Sequence, residues 1–111
     1  MKIVDLEKLP YQPVSHNPEI KKRVMIAINE LPHLTNFSQA IFTPGQVAIA
    51  HAHETMYEIF YIDSGEGLIR INGQEYSVQK GSCLVVEPGE THEIINNSSR
   101  DLIINVIGLA T

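Results

Sequence analysis

Two histidines, His51 and His53, stand two residues apart, and Glu58 follows His53 by five. On a helix the two rings would diverge by about 200°, whereas on a strand they share a face. The pair therefore calls for extended chain. The interval to Glu58 is odd, so one unbroken strand would send its carboxylate to the opposite face. A bend through Glu54-Thr55-Met56 and a new strand would restore convergence, with Phe60 and Ile62 in phase with Glu58 on the inward side. Two imidazoles and a carboxylate on one face can hold a first-row divalent metal and leave positions open for water, dioxygen or a substrate oxygen. Phe60 and Ile62 would make the rest of the cavity largely apolar, as small-molecule pockets tend to be. Apart from these groups, no Ser-His-Asp or Cys-His arrangement is legible.

The elements that must position these residues read as all-β. From Lys22 to Thr111, short runs of β-branched and aliphatic residues are interrupted every eight to twelve positions by Gly, Pro or Asn. Nine strands are expected, at 22–28, 37–43, 47–53, 57–62, 68–71, 74–78, 83–86, 91–96 and 101–107, a number that suits a barrel or sandwich. Asn72-Gly73 tolerates the positive backbone angles of a two-residue type I′ turn, which sets Arg70 opposite Glu75 and Ile69 opposite Tyr76. Pro44-Gly45 and Pro88-Gly89 read as further turns. Residues 1–21 carry Pro10, Pro13 and Pro18, which disfavour a continuous helix or a central strand, so this segment reads as an extended arm before one barrel domain at 22–111.

Composition narrows the function classes. The chain has 111 residues, 43% of them hydrophobic, enough for one compact core and too few for two. Its longest apolar run, Val24 to Ile28, is far short of the roughly 20 residues a membrane-crossing helix needs, and no secretory signal is visible. A cytoplasmic protein without a membrane partner is the expectation. The formal charge of −5 opposes binding to nucleic acid, and Lys21-Lys22-Arg23 reads as the ordinary solvated start of a strand. The single cysteine, Cys83, excludes an internal disulfide and a Cys-rich zinc site, and reads as a small buried apolar side chain. His16 and His33 lie beside Asn17-Pro18 and Pro32 and read as loop or surface histidines rather than ligands, and Glu54 as a solvated turn carboxylate.

The motif Gly45-x5-His51-x-His53-x4-Glu58-x6-Gly65 resembles the first signature of the cupin superfamily with every marked position filled. Gly81, Gly89, His92 and Asn96 resemble the second, after an interval of fifteen residues. One departure is Glu87 where the family usually has proline, and Pro88 follows it directly. Covering roughly residues 40 to 108, the resemblance implies a small single-domain cupin, a double-stranded β-helix or jelly-roll barrel. It makes His51, His53, Glu58 and His92 the ligands of a divalent transition metal, whether Fe, Mn, Ni, Cu or Zn. The implied activity is metal-dependent chemistry on a small oxygen-rich or anionic molecule, of dioxygenase or of isomerase and lyase type. The alternative is a non-catalytic small-ligand-binding or sensor cupin.

An outward row of Tyr57, Ile59 and Tyr61, with Val24, Ile26 and Ile28 alternating near the start, is more apolar than a small barrel should leave wet. The resemblance implies a homodimer paired through sheet faces. Light scattering should then give twice the 12.4 kDa of one chain, and a mass of 12.4 kDa would refute the pairing.

Overall fold

Where the turn chemistry is strongest, the chain does what its residues demand. In the computed structural model, which describes residues 1–111, Asn72 and Gly73 take φ of 51° and 82°, as a type I′ turn requires. Arg70 pairs with Glu75 and Ile69 with Tyr76. The Arg70 guanidinium binds Glu75 at 2.7 Å and reaches Glu93 on the next strand at 2.6 Å.

Ten strands form: β1 (Gln12–Val14), β2 (Asn17–Ile26), β3 (Leu34–Phe42), β4 (Val47–His51), β5 (Met56–Ser64), β6 (Glu66–Ile71), β7 (Gln74–Gln79), β8 (Cys83–Val86), β9 (His92–Ile95) and β10 (Leu102–Ala110). The only helical element is a 3₁₀ turn at Leu6–Lys8. A six-stranded sheet in the order β1-β2-β3-β10-β5-β8 faces a four-stranded sheet in the order β4-β9-β6-β7. This is a jelly-roll β-sandwich. Strand alternation turns one file of side chains per strand inward, as in β5, where Glu58, Phe60 and Ile62 are buried and Tyr57 and Tyr61 exposed. Between the sheets Ile62, Leu102 and Ile104 are fully buried and Ile69 nearly so. Each contributes about 1.5–3 kcal/mol of transfer free energy relative to an exposed position.

The N-terminal segment differs from the extended arm expected of it. β1 and β2 form a hairpin, and β2 lies between β1 and β3, running straight through position 21/22 where the barrel was expected to begin. The prolines permit this by position. Pro13 lies on the edge strand β1, and Pro18 precedes Lys21, where pairing with β3 starts. Ile20 is fully buried.

Two side-chain assignments are also corrected, one from outward to inward and one from buried to exposed. Val24 pairs with Ser38, a buried residue facing the interior, so it belongs to the inner file and not to the outer apolar row. Cys83 is exposed, because in β8 the alternation buries Val86 and turns Cys83 and Val85 to solvent. The outer face of the larger sheet still presents Tyr57, Tyr61, Val85 and Leu109.

Asn96, just beyond β9, is the polar clasp of the barrel end opposite His92. It is fully buried. Its amide nitrogen donates to the carbonyls of Phe42 at 2.8 Å and Arg100 at 2.7 Å, and its Oδ1 accepts from the Ser98 backbone N–H at 3.0 Å. Its backbone accepts from Gly45 N at 2.9 Å, pinning the turn that launches β4. Asn96→Ala should lower unfolding stability by about 2–4 kcal/mol, since it takes the side-chain donor from the buried Phe42 carbonyl as well as removing the other bonds. Urea titration checks this, and a loss below about 0.5 kcal/mol would show that the clasp is dispensable.

Candidate metal centre

His51 is the last residue of β4, and His92, directly opposite it, is the first of β9. Their rings lie 4.2 Å apart between centroids. His53 lies beyond the end of β4, which stops at residue 51 and not at 53 as its sequence suggests. The loop is nonetheless held. The His53 carbonyl accepts from Gly89 N at 2.7 Å, and Gly89, at φ 84°, closes the Pro88 turn that leads into His92. Its ring meets that of His51 edge to face at 4.9 Å. Glu58 arrives from the other sheet on the inward file of β5, as the bend through residues 54–56 requires. Glu54 itself is exposed in that loop.

The four residues converge: one donor atom from each of His51, His53, Glu58 and His92 lies within 4.8 Å of all the others. Glu58 Oε1 is 3.0 Å from His92 Nε2 and 3.2 Å from His53 Nε2. Donors bound to one first-row ion at about 2.1 Å stand roughly 3.0 Å apart when adjacent in an octahedron, so these two edges fit. Ring tautomers point the same way. His51 Nδ1 lies 2.8 Å from the Ile49 carbonyl and His92 Nδ1 3.1 Å from the Glu90 carbonyl. A carbonyl only accepts, so each Nδ1 carries the proton and each Nε2 offers a lone pair inward. Glu58 Oε1 and His92 Nε2 are then two buried acceptors without a hydrogen-bond partner. A cation between them, proton or metal, removes the conflict, and the donor set fits a divalent transition metal.

Beyond the cluster lies a cavity of about 190 Å³, walled by Phe42, Phe60, Ile94 and Val106 among others. Phe60 takes the lining position expected of it, while Ile62 lies deeper, in the core. Two ionisable lining residues were placed away from the site by the sequence reading. His16, at the turn between β1 and β2, is exposed as expected, yet its ring stacks on His51 at 3.9 Å. Lys22 was grouped with a solvated basic cluster, but it pairs with Ala40 on the inward file and lines the cavity. Inward alternation from buried Ile20 could have found Lys22. His16 reaches the site only through the long-range folding of the hairpin, which leaves no local signal. His33 lies apart from the cavity, at φ 66° before β3.

A cupin-domain family model matches residues 39–108, and the chain belongs to the cupin family. It is similar to an oxalate-binding protein of Thermotoga maritima, 35% identical over 66 residues that make up 60% of this chain and 54% of that protein. It is also similar to gentisate 1,2 dioxygenase 1 of Aquipseudomonas alcaligenes, 26% identical over 92 residues, 77% of this chain and 26% of that one. The chain thus spans about half the length of the first relative and about a quarter of the second. Among solved structures, a predicted oxalate decarboxylase from Thermotoga maritima superposes with a TM-score of 0.89 at 22% identity, covering 99% of this chain and 100% of that one. At that identity the likeness is one of fold.

Protons compete with a cation for these nitrogens, which fixes the direction of the pH response. Burial depresses the His51 imidazole in spite of the Ile49 carbonyl, so this ring takes up a proton less readily than an ordinary imidazole. Burial also pulls His92 down, but the Glu58 carboxylate and the Glu90 carbonyl outweigh it and leave the ring above its ordinary 6.5. Glu58 is raised by burial and lowered more by His92 and the neighbouring rings, for a net fall from 4.5. In the metal-free protein, the His92 contribution is complete below 6.5 and fades as pH rises through its raised value. That of Glu58 is present above 4.5 and fades as pH falls through its lowered value. A metal replaces the proton that is lost at higher pH. The gap in Tm between metal-loaded and metal-stripped protein should therefore widen from about pH 5.5 to about pH 8. A gap that stays constant or shrinks would contradict competition between proton and metal at His92.

Proposed function

We propose that the protein binds a first-row divalent cation through His51, His53, Glu58 and His92 and acts as a metal-dependent enzyme on a small oxygen-rich or anionic molecule. The observation that carries this reading is the pair of buried acceptors, Glu58 Oε1 and His92 Nε2, facing each other at 3.0 Å. A carboxylate so desolvated is costly without a counter-charge.

A bound metal of this kind supplies Lewis-acid polarisation of a substrate oxygen, or dioxygen chemistry if it is redox-active. The chain's own groups do the rest. Neutral imidazoles and one carboxylate leave a divalent centre with a net charge near +1, which draws in an anionic oxygen. The Ile49 and Glu90 carbonyls hold two of the rings in the ligating tautomer. Phe60, Ile94 and Val106 line the cavity beside the cluster and lower the local dielectric, which strengthens every charge interaction there.

Similarity to a gentisate dioxygenase favours dioxygenase-type turnover. Similarity to a protein named for binding oxalate favours a second reading, in which the same centre holds a small acid without turning it over.

The discriminating experiment reconstitutes the stripped protein separately with Fe, Mn, Ni, Cu and Zn. It then screens small organic acids for oxygen consumption and for product formation without oxygen. Turnover with at least one metal, reduced about 100-fold or more in Glu58→Gln, is expected, since losing even a group that only orients a ligand typically costs 10- to 100-fold and Glu58 would be a ligand itself. Saturable acid binding with no turnover under any metal would transfer the assignment to the binding reading.

A further inference from the structure

Three consecutive basic residues on β2 have different fates. The Lys21 ammonium donates to the Pro18 carbonyl at 2.8 Å. Arg23 faces the opposite side of the sheet from Lys22, lies under Tyr11, and approaches Glu7 and Gln39 at 3.5 Å each. Lys22 points inward from a half-buried position, in register with the small side chain of Ala40, and makes no ion pair or hydrogen bond within the chain. A half-buried ammonium without a partner is a position to be filled.

With the rings neutral, Lys22 and Glu58 are the only charged side chains lining the cavity. Their charges cancel, so a divalent cation leaves the cavity with a net charge near +2. A substrate with one negative charge neutralises half of that, and one with two neutralises all of it. On β3, in the row of Glu58, the polar lining presents a further donor. Ser38 donates its hydroxyl to Asn36 Oδ1 at 2.8 Å, which leaves the Asn36 amide N–H groups free to face an anion. Lys22 and Glu58 stand on strands of the same sheet separated by β3 and β10, so the two charged positions are set three strand spacings apart along the cavity lining.

We infer that Lys22 is a specificity-determining residue that binds the second anionic group of a small organic acid whose first end, a carboxylate with a neighbouring oxygen, sits on the metal. This rests on the metal reading proposed above and narrows its substrate to a dianion. The hydroxy-acids malate and lactate share the same chelating head, and only malate carries a distal carboxylate.

Calorimetric titration of metal-loaded protein with each acid, at constant ionic strength, reads the effect of Lys22 directly. The wild type should bind malate at least about tenfold more tightly than lactate, the scale of one charge-assisted hydrogen bond. Lys22→Met should bring malate down to the affinity of lactate with metal content unchanged, while Lys22→Arg should keep most of the preference. Lys22→Gln is run in parallel and answers the same question if the methionine variant does not fold. A malate preference that survives in the neutral variants, or one that is missing from the wild type, would overturn the inference. Metal content separates the two layers: metal-loaded wild type that binds neither acid sinks this inference alone, whereas wild type that cannot be loaded sinks the metal reading beneath it.

Discussion

One contact sets the terms for the rest of this molecule: a carboxylate oxygen of Glu58 and an imidazole nitrogen of His92, both buried, face each other across 3.0 Å with no donor between them. Two lone pairs at that distance repel, and neither group can escape to water. The fold must hold them there against that repulsion, or a positive charge must sit between them. His51 and His53 complete a ring of donors around the same point.

The architecture that enforces this contact is long-range. Glu58 belongs to the larger sheet, while His51 and His92 come from the smaller one, so the site exists only when the two sheets close on each other. Cross-strand register places His51 opposite His92. The glycine at position 89, free to adopt a positive φ, ties the His53 loop to the turn before β9. Asn96 fastens the far end of that strand. Stability and site geometry thus share elements, and the apolar walls that strengthen the charges also form the core.

Much of this was legible in the sequence, for identifiable reasons. Period-two alternation placed Glu58, Phe60 and Ile62 on one face, and the Asn72-Gly73 turn set its hairpin register, because both signals are local. Strand limits were less legible: β4 ends at His51, and His53 is held by a backbone bond to a turn some 35 residues further along the chain. The N-terminal hairpin was the largest miss. Its prolines argue against a strand only where pairing needs their N–H, and at Pro13 and Pro18 it does not. Missing the hairpin hid two ionisable lining residues, since His16 and Lys22 approach the cavity only once β2 has docked on β3. Cys83 misled through its type, for a small thiol is usually buried, and the alternation of β8 decided otherwise.

X-ray absorption at the metal edge of the reconstituted protein tests the central claim most directly, because it reports the atoms around the ion without reference to any substrate. The account predicts a shell of nitrogen and oxygen neighbours near 2.1 Å, with the multiple-scattering signature of three imidazoles in the wild type and of one in a His51→Ala, His53→Ala double variant that still retains metal. A wild-type shell without imidazole, or one containing sulfur from Cys83, would contradict it.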